Sequence, residues 1–117
     1  MSTTAQDLET IDLQIDEAKK KIARKNMLIR LEQNPDFREL IQKGFLESHA
    51  IRQVMLKAHP GMQNESAQKM LEQQITAIGG FKQFLIGVYV EGSNAEAALA
   101  EDEATREELL REGLSDD

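Results

Sequence analysis

Apolar residues recur along this chain in steps of three and four, the period of an α-helix. The dominant pattern lies between Ser66 and Val90. Leu71, Ile78 and Leu85 fall seven apart, with Phe81 and Val88 three residues after the last two, which makes a heptad seam. Met70, Ala77 and Phe84 flank it on one side, and Ile75 and Tyr89 on the other. Ile86 and Val90 reach round to the back. A helix apolar on most of its circumference is expected to be covered on several sides, so this one is predicted to be central. Leu71, Ile78, Phe81, Phe84, Leu85, Val88 and Tyr89 are its expected core or interface anchors. Gly80 and Gly87 share a face, one heptad apart, and are read as a place where a neighbouring backbone packs closely; the alternative is a kink at Gly79-Gly80.

An earlier seam, Leu8, Ile11, Ile15, Ala18 and Ile22, predicts a first long helix over about residues 4–33, with Thr4 and Asp7 spaced as a capping box. Its register turns Lys25 inward, so the stripe drifts toward Met27, Leu28 and Leu31. Asn34-Pro35-Asp36 supplies an N-cap, a first-position proline and a first-turn acid for a short helix over 35–43, with Gly44 as its stop. A second short helix, 47–58, turns Ala50, Ile51, Val54 and Met55 inward and closes at His59-Pro60-Gly61. Asn64 caps the central helix, 65–91. Gly92-Ser93-Asn94 is a candidate break, and Ser93 with Glu96 has capping-box spacing for a final helix. The expected architecture is all-α: two long helices joined by two short ones in a domain of residues 1–92, with an acidic helical tail over 93–117 and a tendency to self-associate. Apolar length beyond what the short helices cover is the reason for that tendency.

Charge is segregated. Residues 1–18 hold five acids and no base, 19–30 six bases and no acid, and 91–117 ten acids against two bases, for a total of −7. The basic stretch Lys19, Lys20, Lys21, Arg24 and Lys25, with Arg30 beyond, is a candidate for meeting phosphates or an acidic partner surface, such as the tail of this chain or of a neighbouring copy. It lacks interleaved aromatics for base stacking, and i,i+4 pairing of Asp16 with Lys20 and Glu17 with Lys21 accounts for part of it. The chain has no cysteine, and its two histidines, His49 and His59, lie ten apart without a metal-binding spacing. No phosphate loop or nucleophile–base pair appears, so neither an enzyme nor a cofactor or metal is expected. The seven-residue run Phe84–Val90 is too short to span a bilayer, and the N-terminus lacks a secretory pattern.

The segment Asn34-Pro35-Asp36-Phe37-Arg38-Glu39-Leu40-Ile41, then Gly44-Phe45, Ala50-Ile51-Arg52, Gln74-Ile75, Ala77-Ile78-Gly79 and the acidic close Ala97-Ala98-Leu99-Ala100-Glu101, resembles a group of small helical proteins of tailed bacteriophages. The likeness covers about residues 20–112 and consists of caps and apolar positions, with no catalytic signature. It implies a non-enzymatic accessory or virion protein, acting through helix packing with itself or other phage proteins, in the virion or the host cytoplasm. Two rivals stay open: a DNA-packaging adaptor, like a small terminase subunit, using the basic stretch, and an acidic inhibitor of a host enzyme.

Overall fold

The computed structural model describes residues 2–115, and among them every regular element is helical, with no strand. The chain is all-α. Helix α1 spans Ser2–Gln33. It stops where expected, because the Asn34 side chain turns away from the helix to accept the N–H groups of Asp36 (2.8 Å) and Phe37 (3.3 Å) and starts the next run. That run continues unbroken through α2 (Pro35–Phe37), a π-helix (Arg38–His49) and α3 (Ala50–Lys57). His59 Nδ1 then accepts the Gly61 N–H over a 3-10 turn, Pro60–Met62. Asn64 Oδ1 accepts the Ala67 N–H at 2.8 Å and caps α4, Glu65–Ser115.

One expected break and one candidate break do not occur. Gly44 does not stop a helix at residue 43, nor does a new one begin at 47. The glycine keeps a negative φ, and the chain passes through it as a π-helix. A β carbon at Gly44 would lie 3.1 Å from the Glu39 carbonyl oxygen, so the missing side chain eases a close approach within the π stretch. Nor do Gly92-Ser93-Asn94 separate a central helix from a tail. Glu96 is not used to cap but reaches Lys25 instead, and α4 runs on as a single 51-residue helix. Residues 116 and 117 of the expected tail lie outside the described residues.

The residues group into two units: 1–27 with 88–117, and 28–87. The acidic segment thus groups with the first part of α1. In the first unit the two helix segments run antiparallel, for Asp12 meets Arg106 (2.6 Å) while Lys25 meets Glu96 (3.0 Å). Of the predicted seam Ile11, Ile15 and Ala18 are buried, and on the other segment Gly92 and Ala95 are buried too.

In the second unit the run 35–57 lies antiparallel against the first part of α4. Phe45 and Phe81 meet edge to face at 5.8 Å, and Lys57 pairs with Glu72 at 3.1 Å. Gln68 ties the turn down by donating to the carbonyls of Lys57 and Met62. Leu28, Leu71 and Ile78 are buried here, Leu71 to 1% exposure.

The inward line of the 35–57 run differs from the one expected. Phe37, Ile41, Phe45, Leu46, His49 and Ala50 are half-buried, and Gln53 is buried after them. These positions recur every four to five residues through the π stretch and every three to four in α3. A π turn takes about one residue more than an α turn, so twelve residues slip the phase by about two residues. At about 100° each, that is more than half a turn. Ile51 (59% exposed), Val54 (54%) and Met55 (69%), all expected inward from their local spacing, therefore face solvent, and a glutamine holds the inward place.

Candidate interaction surfaces

The seven anchors of the central seam separate into two sets. In the second unit Leu71 and Ile78 are core, Leu85 is half-buried, and Phe81 and Phe84 are exposed, Phe84 at 64%. In the first unit Val88 is half-buried and Tyr89 is exposed. The expected coverage on several sides is not met within the second unit: Met70, Phe81, Phe84 and Ile86 keep apolar surface outside. The run 35–57 closes one side of α4 and leaves others open. Close backbone packing at Gly80 and Gly87 is also absent, since a β carbon at Gly79, Gly80 or Gly87 would meet nothing within 4 Å. Nor does the chain break there, since α4 runs through all three glycines.

The glycine that does admit a close neighbour is Gly92. A β carbon there would collide with the Cβ of Lys25 and lie 3.0 and 2.9 Å from its Cγ and Cδ. Lys25 is nearly buried; its ammonium sits 3.0 Å from Glu96 Oε1 and 4.7 Å from the centre of the Tyr89 ring. The sequence register pointed Lys25 inward, but no local pattern identified Glu96, 71 residues away, as its partner. Only the pairing of a basic stretch with an acidic one signalled it.

The basic stretch is thus divided. Lys25 faces the interior of its unit. Lys20 pairs with Glu17 at 3.3 Å, three residues back rather than four. Lys19 shares a polar groove with Asp12, Asp16, Glu103, Arg106 and Glu107, and Lys21 borders an apolar one. Lys19, Lys20 and Arg24 remain on the surface, while Arg30 is exposed in the other unit. The acidic tail of the same chain is the partner that the first unit offers, through Lys25–Glu96 and through Arg106 reaching back to Asp12. Arg106 takes Asp12 rather than the Asp102 four residues before it.

Among the described residues, open grooves lined by large apolar side chains lie in both units. One, about 500 Å³, lies in the first unit over Leu13, Ala18, Ala95 and Ala98, with Glu17, Lys21, Glu91 and Asp102 among its borders. Another, about 340 Å³, follows the π-helix from Leu40 past Gly44, Phe45, Ser48 and His49 to Arg52. His49 stacks on Phe45 at 5.7 Å, and His59 serves the turn at Gly61. Among the described residues no group of three or more His, Asp or Glu side chains is placed to hold a metal ion. None of the described helices is long and apolar enough to cross a membrane.

The units differ in kind. The first holds, by sequence, fifteen acids against seven bases, a net −8; the second holds six acids against seven bases. Large exposed apolar side chains divide the other way among the described residues, nine in the second unit and five in the first. No family model, curated protein or solved structure matches the chain.

Proposed function

We propose that this protein is a non-enzymatic helical assembly component that associates with further copies of itself through its near-neutral unit, residues 28–87. The observation that carries the reading is the concentration of exposed Leu31, Leu40, Ile51, Val54, Met55, Met70, Phe81, Phe84 and Ile86 in that unit. Fully burying such a side chain contributes about 1.5–3 kcal/mol. Those already half to two-thirds exposed therefore retain about 1–2 kcal/mol each. Four from each of two copies supply roughly 8–16 kcal/mol, against about 4–15 kcal/mol lost in association. The balance favours a complex that forms and dissociates with concentration. The net charge of −8 on the other unit opposes like-with-like contact there and directs it to residues 28–87.

The setting we propose, a tailed-phage particle or its assembly, rests on the sequence resemblance. Light scattering over a concentration series tests self-association, and a one-chain mass throughout refutes it. Assay of purified particles for the protein tests the setting, and its absence from them counts against a virion role.

A further inference from the structure

We propose that Ile51, Val54 and Met55, with Leu40 beside them, form a two-fold interface that seats the same stripe of a second copy. The proposal rests on the self-association reading and names the face through which it acts. Ile51, Val54 and Met55 stand at i, i+3 and i+4, the spacing of a single helical stripe, and all three are more than half exposed. The opposite side of the same helix buries Gln53, whose Oε1 meets no hydrogen-bond donor. The chain thus holds an amide inside and three large apolar groups outside, the reverse of what burial within one copy favours. An outer cover for the stripe removes half of that conflict.

A second copy fits that cover for two reasons. An isologous contact sets each surface against itself, so it is favourable only where the surface does not repel its own kind. The unit carrying the stripe has seven bases and six acids, and Glu47 and Arg52 border the stripe with opposite signs. The stripe is also a helix edge with a shallow groove beside it, lined by Leu40, Gly44, Phe45, Ser48, His49 and Arg52, into which the side chains of an antiparallel helix can interdigitate.

The absence of native cysteine makes the test direct. Ile51→Cys, Val54→Cys and Met55→Cys are prepared singly in the full chain, with Thr76→Cys, exposed on α4 of the same unit, as the control. Under mild oxidation at least one stripe variant should form a covalent dimer ten-fold or more faster than the control, since a disulfide needs the two Cα atoms within about 7 Å. Met55→Asp and Ile51→Lys should reduce the light-scattering mass to one chain with unchanged helical circular dichroism. If the native chain is oligomeric but no stripe cysteine outpaces Thr76→Cys and both charged variants keep the native mass, the interface lies elsewhere; this proposal falls and the self-association reading stands. If the native chain has a one-chain mass at every concentration, both fall.

Discussion

Alanine at Gly92 and alanine at Gly80 are chemically the same change in the same helix, yet the structure assigns them opposite signs. A methyl group at Gly92 would sit against Lys25, with Cγ and Cδ at 3.0 and 2.9 Å and Cβ closer still. Carbon atoms pack best at about 3.5–4.0 Å, so the segments must part by roughly 1 Å or Lys25 must leave its place. Overpacking of this kind costs about 1–3 kcal/mol. Displacing Lys25 also loosens its bond to Glu96 and its place over Tyr89. Against this stands the gain of about 1 kcal/mol from replacing a helical glycine. The net expectation for Gly92→Ala is a loss of about 2 kcal/mol, a midpoint lower by roughly 5–10 °C. At Gly79, Gly80 and Gly87 the added methyl meets nothing within 4 Å, and only the propensity gain remains. Each of those substitutions should raise stability by up to about 1 kcal/mol. Urea and thermal unfolding followed by circular dichroism, all at one chain concentration because association adds to stability, measure the four variants. A Gly92→Ala protein as stable as the native one would refute the close approach of residues 25 and 92.

The remaining predictions concern single side chains. Gln53→Met keeps the length and removes the unpartnered buried oxygen, so urea denaturation should show a gain of about 1 kcal/mol; a loss would mean that the amide has a partner. Removing Glu96 strands a nearly buried ammonium, whereas removing Lys25 leaves a carboxylate that is half exposed. Glu96→Gln should therefore cost about 1–2 kcal/mol and Lys25→Met less, and the reverse order in unfolding experiments would overturn that asymmetry. Asn34→Ala loses two backbone N–H contacts at the start of the 35–57 run and should cost about 1 kcal/mol in the same assay.

What the sequence made legible was governed by short range. Asn34 and Asn64 announce helix starts because a cap is made with N–H groups two or three residues away. The seam Ile11, Ile15 and Ala18 is readable because helical geometry turns spacing into a face. Gly44 misled for a related reason: glycine marks many helix ends, and nothing local distinguishes one that ends a helix from one that lets it widen into π turns. That widening then reversed the inward and outward sides of α3, so Ile51, Val54 and Met55 could not be placed from their own spacing. Gly92 gave no signal of its own. Its role depends on a lysine 67 positions earlier in the chain, and such pairing is fixed by tertiary register.

The uneven distribution of carboxylates has a consequence for how firmly any two copies could hold together. Each copy brings a net −8 on residues 1–27 and 88–117 taken together. A two-fold contact closes at two copies, so the like charge they carry would set the strength of the pairing and not its number. Added salt shortens the reach of the repulsion, to about 8 Å at physiological ionic strength. Ionic strength would therefore act as a dial on affinity, with dilute buffer favouring the separate chains.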